Sequence, residues 1–315
     1  MFLLATFVWA LALFFLSCRG RSPLTRVLAA LGSGVLLGNL VATKWFGIGA
    51  VALVWAWIGL AVLARRRNES AAGEGAVPKG VRGITSLFFF LVVPALTYLL
   101  WTVPLVGIPG SVRAAMGEEL FAGPCTFGRT PDQRRRAPTT WLGRVRHWHC
   151  TVWNYHSHLT ATHPYGSSWW SWPILRHPVL FYVNSDGGSP RRISATGNPV
   201  IWWAAFAVVW VTVAMLAFRR LARRITGALL PLPDLWLLFG IFGFWLPWAF
   251  IQRVTFHYHY FLSFTLSVVL LALWLTRLLD RPRFRAFPLL FLGAALVGFV
   301  VLYPSASALP AFWVR

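Results

Sequence analysis

Long apolar stretches separated by short arginine-rich ones run through the chain. Eight of them read as membrane spans: Phe2 to Cys18, Val27 to Thr43, Phe46 to Ala64, Leu87 to Leu105, Val200 to Phe218, Leu235 to Ile251, Phe261 to Leu275 and Phe287 to Val301. Each is close to the ~20 residues that a bilayer core requires of a helix. The second and third are also readable as a re-entrant pair. The spans divide the chain into four helices over residues 1–105, a polar and aromatic stretch over 106–197, and four helices over 198–315. A middle stretch of about 90 residues is too long for a structureless connector, which predicts function or local structure within it. Asn68 to Lys79, rich in Gly, Ala and Glu, reads as a flexible linker, and no internal repeat is visible.

Composition supports the membrane reading. Apolar residues make up 57% of the chain and charged ones 12%, against about 25% charged in a soluble domain. The net charge of +21 comes from 27 Arg and 2 Lys against 8 acids, a balance that would suit a nucleic-acid binder. The positions of the charges argue otherwise. Basic clusters at Arg19, Arg21 and Arg26, at Arg65 to Arg67, at Arg219, Arg220, Arg223 and Arg224, and at Arg277, Arg281, Arg283 and Arg285 recur between spans, as cytoplasmic loops do under the positive-inside rule. The partner they imply is membrane lipid rather than nucleic acid.

Threading the spans through these loops places both termini outside. Lys44-Trp45, Gly107 to Gly197, Gln252 to Tyr260 and the tail from Tyr303 then face out as well. All eight His residues fall on that side, although they played no part in the threading. The outer loop is itself basic, with ten Arg against four acids, but long loops cross largely regardless of charge. The first span lacks a basic n-region, and Cys18-Arg19-Gly20-Arg21 is a poor cleavage site, so it does not read as a signal peptide. An outside N-terminus without a hydrophilic leader would be explained by upstream residues lost or encoded separately.

Candidate chemistry concentrates on the outer side. Trp153-Asn154-Tyr155-His156-Ser157-His158 leads to His163-Pro164-Tyr165-Gly166-Ser167-Ser168-Trp169-Trp170-Ser171-Trp172-Pro173. An interfacial aromatic belt accounts for any single Trp. The mixture of Trp, Pro, Ser and His suits a loop folded against the membrane to bind a sugar, a peptide or a lipid headgroup. At Gln252 to Tyr260, Arg253 is placed to pair with a lipid phosphate through planar, charge-assisted hydrogen bonds, or else to snorkel. Lys44 offers a similar but less directional charge.

Three His-x-His pairs, at 147/149, 156/158 and 257/259, raise a zinc site, but no third or fourth ligand is specified, and hydrogen-bonding or packing His is the preferred account. Among the four outer acids, Glu118 and Glu119 are candidates for a carboxylate base, set against the simpler reading of solvated loop charges. Cys125 and Cys150 would close a loop of about 25 residues, worth roughly 3 kcal/mol in the chain-entropy model, or remain two free thiols. Cys18 reads as a packing or lipid-facing residue. Gly-x-Gly-x-x-Gly, Walker A and Cys-x-x-Cys are absent, so nucleotide cofactors have no support.

At His163-Pro164-Tyr165-Gly166-Ser167-Ser168-Trp169-Trp170-Ser171-Trp172-Pro173 the chain resembles the protein O-mannosyltransferase family, whose bacterial members carry a pattern close to His-Pro-Tyr-x-Ser-Arg-Pro-Trp-x-Trp-Pro. Ala42-Thr43-Lys44-Trp45, Gly197-Asn198-Pro199-Val200-Ile201-Trp202-Trp203 and Tyr258-His259-Tyr260 extend the match. The resemblance implies an all-α integral membrane fold, a GT-C-like bundle of about eight transmembrane helices with a large non-cytoplasmic loop, in a bacterial plasma membrane. It implies transfer of mannose from a polyprenyl-phosphate donor to Ser or Thr of exported polypeptides, with the lipid-linked sugar as co-substrate and no cofactor. Arg253 and Lys44 would hold the donor phosphate, Tyr258 and His259 would line the site, and His163, Pro164, Tyr165, Ser167, Trp170 and Trp172 would position the acceptor.

Two departures accompany the match. Ser168 and Trp169 stand where the family has Arg and Pro. The family's Asp-Glu pair, which supplies the catalytic carboxylate, lies ahead of the region that aligns with Met1, and this chain holds no Asp-Glu dipeptide. The resemblance implies that the eight spans correspond to the last eight of the eleven found in family members. The expectation is therefore a transferase completed by an N-terminal segment or a second subunit, or else a non-catalytic donor-binding partner, or a related transferase acting on a lipid or cell-wall glycan.

Overall fold

The computed structural model describes residues 2–66, 83–106, 140–184, 191–226 and 232–309. Eight helical segments among them are long and apolar enough to cross a membrane, and they coincide with the eight stretches expected. The chain forms two compact units, Met1–Val51 with Pro78–Ala161 and Ala52–Val77 with Thr162–Arg315.

In the first unit, α1 (Phe2–Arg19) and α2 (Pro23–Thr43) form a helical hairpin. Ser22 caps α2 by accepting from the Thr25 amide at 3.0 Å, with Pro23 in the first turn where no N–H is needed. Ser33 Oγ donates to the Ala10 carbonyl at 2.8 Å, a buried bond between the two helices. At the far end of α2 the Lys44 backbone turns extended, and a 3₁₀ turn at Trp45–Gly47 leads into α3 (Ile48–Arg66).

The fourth span is built from α4 (Ile84–Leu87), a π-helical turn (Phe88–Val92) and α5 (Val93–Val106). The widened turn lies just ahead of Pro94, whose ring and missing N–H disfavour regular α spacing there. Gly38 on α2 lets the fourth span approach closely, since a Cβ there would lie 2.5 Å from Thr97 Cβ and 2.6 Å from the Pro94 carbonyl oxygen. Gly38→Ala is therefore expected to lower stability by about 1–3 kcal/mol through overpacking. Gly59→Ala, where a Cβ meets nothing within 4 Å, is expected to be neutral or mildly stabilising. Thermal unfolding of the two variants in the same detergent checks the contrast.

In the second unit, the Trp236 indole donates to the Leu53 carbonyl of α3 at 2.7 Å. Trp236 belongs to α8 (Leu232–Trp245), which follows α7 (Pro199–Thr226) and continues as a 3₁₀ turn at Leu246–Phe250. A second 3₁₀ turn, His257–Tyr260, opens α9 (Phe261–Leu279), which packs on both α7 and α8. Buried Asp234 at the start of α8 receives both guanidinium nitrogens of Arg277 near the end of α9, at 2.7 and 3.1 Å. This planar fork pins the ends of α8 and α9 opposite the His257–Tyr260 turn. The last helix, α10 (Ala286–Ser307), runs past the expected Val301, so Tyr303 and Pro304 are helical rather than part of a tail.

The middle stretch has structure of its own. A helix, α6 (Trp141–Ser157), is capped by Thr140 and belongs to the first unit. A 3₁₀ turn at Trp169–Ile174 and an antiparallel pair, β1 (Leu180–Asn184) and β2 (Arg191–Ser194), belong to the second.

Candidate functional site

The loop from His163 to Pro173 folds by local rules and then docks by specific hydrogen bonds. Pro164 opens a turn closed by the Gly166 amide donating to the His163 carbonyl at 2.8 Å, while His163 Nδ1 accepts from the Tyr165 amide at 3.1 Å. Beyond the turn, Ser167 and Thr255 exchange two bonds. The Ser167 amide donates to the Thr255 carbonyl at 2.9 Å, and Thr255 Oγ1 donates to the Ser167 carbonyl at 2.8 Å. The Ser167 hydroxyl in turn accepts from the Trp172 indole at 2.9 Å. The loop motif and the Gln252–Tyr260 segment are thus joined through backbone as well as side chains.

Two more indoles hold the loop from below. Trp202 Nε1 donates to the Trp172 carbonyl at 3.0 Å, and Trp245 Nε1 donates to the Trp169 carbonyl at 2.9 Å. Trp202 is itself fixed by the Gly-Asn-Pro sequence before it. A Cβ on Gly197 would collide with the Trp202 ring, so only Gly allows this packing. Asn198 caps α7 by accepting from the Val200 amide at 3.0 Å and donates to the Ala295 carbonyl of α10 at 2.7 Å. Trp202 then stacks on Phe264 and on His257, with ring centroids 3.7 and 4.8 Å away.

His259, only 7% exposed, lies among Trp248 (4.1 Å), Tyr258 (4.6 Å) and Trp172 (6.0 Å). Its Nδ1 lies 3.0 Å from the Phe256 amide nitrogen and 2.9 Å from the Phe256 carbonyl oxygen, which ties the ring to the start of its own turn. Half-buried Tyr258 stacks on Phe256 and on Phe181 of β1, at 5.3 and 6.4 Å. Arg253 is half-buried within electrostatic reach of Tyr258, and among the described residues no carboxylate or hydrogen-bond partner engages its guanidinium.

The structure therefore brings His163, Tyr165, Ser167, Trp172, Arg253, Tyr258 and His259 into one docked assembly. His163 reaches it edge-on to Phe256, at 5.2 Å. His163, Pro164 and Trp170 are exposed, and Arg176 lies 5.5 Å over the Trp170 ring. Trp172 is 1% exposed, so its part is to hold the loop.

Lys44 belongs to the first unit, beside a cluster that its own motif builds. Trp45 stacks parallel on His149 of α6 at 5.3 Å. His149 Nδ1 donates to the Val145 carbonyl at 2.7 Å, and its Nε2 accepts from the Tyr98 hydroxyl. Glu118, Glu119 and Cys125 lie outside the described residues. Cys150 on α6 is disulfide-bonded, and Cys18 is a buried free thiol. Among the described residues no three His, Cys, Asp or Glu side chains gather as a metal site would require.

Thr255, Trp202, Trp245, Trp248 and Phe181 support the assembly without having been singled out as site residues. Trp202 lies in the Gly197–Trp203 motif, but its role depends on an indole reaching a carbonyl 30 positions earlier.

The fold defines a polytopic membrane protein with eight candidate spans among the described residues. The description "C-terminal four TMM region of protein-O-mannosyltransferase" matches residues 142–312, more than half of the 315. Polyprenol-phosphate-mannose--protein mannosyltransferases are similar along most of the chain. Those of Mycolicibacterium smegmatis and Mycobacterium tuberculosis are 26% and 27% identical over 89% of this chain and 54% of their own length. That of Corynebacterium glutamicum is 29% identical over 64% of this chain and 38% of its own. The S. cerevisiae protein O-mannosyltransferase Pmt1-Pmt2 complex bound to the sugar donor shares the fold, with a TM-score of 0.69 at 13% identity over 92% of this chain and 68% of the yeast chain. The chain belongs to the protein O-mannosyltransferase family, and it spans about half the length of the curated relatives it matches.

Proposed function

We propose that this chain forms the donor-binding and loop-bearing part of a membrane mannosyltransferase that moves mannose from a polyprenyl phosphate to Ser or Thr hydroxyls of exported polypeptides. The observation that carries this reading is Arg253, a half-buried guanidinium with no anionic partner among the described residues and within electrostatic reach of Tyr258. A guanidinium at that position suits two phosphate oxygens at once. In the reaction, the acceptor hydroxyl oxygen bonds to the anomeric carbon, the bond from that carbon to the phosphate oxygen breaks, and polyprenyl phosphate departs with the electron pair. The hydroxyl proton passes to a carboxylate. This sequence holds no Asp-Glu pair, so the base in this reading comes from outside these residues. His163, Pro164, Tyr165, Ser167 and Trp170 meet the acceptor.

The assembly faces the non-cytoplasmic side of a bacterial plasma membrane in this reading, supported by the arginine clusters at the opposite span ends and by the grouping of all eight His. The test is transfer of labelled mannose from polyprenyl-phosphate-mannose to a Ser/Thr peptide. It should occur when the chain is co-expressed with a segment bearing an Asp-Glu loop, and the chain alone should bind donor without turnover. No transfer in the completed protein would overturn the reading. A non-catalytic partner subunit is the second reading, favoured by the missing Asp-Glu pair. It requires co-purification with a full-length transferase.

We also assign the Cys150 disulfide to Cys125. A thiol-reactive probe is expected to label neither residue until reductant is added, and labelling of both without reductant would exclude the bridge.

A further inference from the structure

Among the described residues, the β1–β2 pair carries an open strand edge beside the candidate donor site. Leu180, Tyr182, Val183 and Asn184 pair with Ser194, Ile193, Arg192 and Arg191, and the register slips between Leu180 and Tyr182. Phe181 is the residue left over. A bulge of this kind re-aims a side chain, and here Phe181 stacks on Tyr258, at 6.4 Å and 29°. Among the described residues the sheet has only these two strands, so the edge of β1 away from β2 has no ladder partner. An open edge presents a row of backbone N–H and C=O groups, which is a template for another extended chain.

The side chains along β1 fit the same use. Phe181, Tyr182 and Val183 are 60%, 45% and 51% exposed, a run of three apolar residues on a strand whose two faces alternate. Natural edges are usually blunted by charge or proline, and β1 carries neither. The basic residues of the hairpin, Arg191 and Arg192, are on the partner strand.

We propose that the acceptor polypeptide binds as an added strand along the open edge of β1, its backbone paired with β1 and its hydroxyl carried past Phe181 toward Tyr258. This rests on the mannosyltransferase reading only in naming the ligand a protein acceptor. The pairing makes the site a reader of extended backbone with small and β-branched side chains, so Ser- and Thr-rich unfolded segments fit and folded domains do not.

The test uses the full chain in nanodiscs and a short fluorescent peptide rich in Thr and Val around a central Ser, without donor. Backbone N-methylation is scanned along the peptide and binding is read by anisotropy. In an added strand, alternate residues point their N–H groups toward β1. Methylation at one parity is expected to lower affinity roughly 5- to 150-fold, since each lost backbone bond left unsatisfied costs on the order of 1–3 kcal/mol, while the other parity changes it less than about twofold. Val183→Lys is expected to abolish binding while leaving polyprenyl-phosphate-mannose binding intact. Equal effects at both parities, or no binding by the unmodified peptide, would overturn the proposal. So would quenching of a Val183 label by brominated lipid that peptide does not relieve, because the strand would then lie in the bilayer. Donor binding is measured separately, so loss of the donor site and loss of the strand site give different results.

Discussion

Arg253→Ala will weaken binding of polyprenyl-phosphate-mannose by roughly 10- to 150-fold, the equivalent of about 1.5–3 kcal/mol for hydrogen bonds to a charged group. Arg253 is half-buried, lies within electrostatic reach of Tyr258, and has no carboxylate partner among the described residues to occupy it. A phosphate arriving there meets a charge already shielded from bulk water, where the pairing is stronger than at an exposed surface. Arg253→Lys should recover only part of the loss, because an ammonium keeps the charge but not the fork. The measurement is a titration of the chain in nanodiscs, followed by indole fluorescence, with a polyprenol lacking phosphate as the control. Equal affinities for the two lipids in the unaltered chain would remove Arg253 from the donor site.

Trp202→Ala is expected to cost about 3–5 kcal/mol, the range for deleting a large buried aromatic side chain. Trp202 is 3% exposed, packs against Gly197, stacks on Phe264 and His257, and donates to the Trp172 carbonyl. The loss should therefore release the loop as well as loosen α7. Amide hydrogen exchange across 163–175 should rise far more than exchange in α1 and α2, which belong to the other unit. Trp202→Phe separates the two contributions. It keeps most of the packing and removes the indole N–H, at a cost of about 1 kcal/mol for the hydrogen bond and up to about 3 kcal/mol if the Trp172 carbonyl is left unsatisfied. Equal exchange in the loop of Trp202→Ala and of the unaltered chain would contradict the part given to this indole.

The spans were legible because a bilayer imposes a length and an apolar composition that few other structures share. Their ends were less so. Nothing in Tyr303-Pro304-Ser305 marks a helix, yet α10 carries through it, and α7 continues through Arg219 to Thr226. The loop motif was legible as chemistry but not as geometry. His163, Ser167 and Trp172 stand out by their sequence neighbours, whereas Thr255 is marked only by the hydrogen bonds it exchanges with Ser167 across 88 positions. Helix α6 was hidden because Trp, His and Arg replace the apolar stripe that announces a surface helix. Strand β1 was hidden because a bulge breaks its period of two.

The donor site is tested most directly by photo-crosslinking. Polyprenyl-phosphate-mannose carrying a diazirine next to the phosphate is irradiated with the chain in nanodiscs, and the labelled peptides are mapped. Label is expected within Gln252–Tyr260 and His163–Trp172, competed by unlabelled donor and reduced in Arg253→Ala. Label confined to lipid-facing α10, or equally abundant with a polyprenol lacking phosphate, would contradict it.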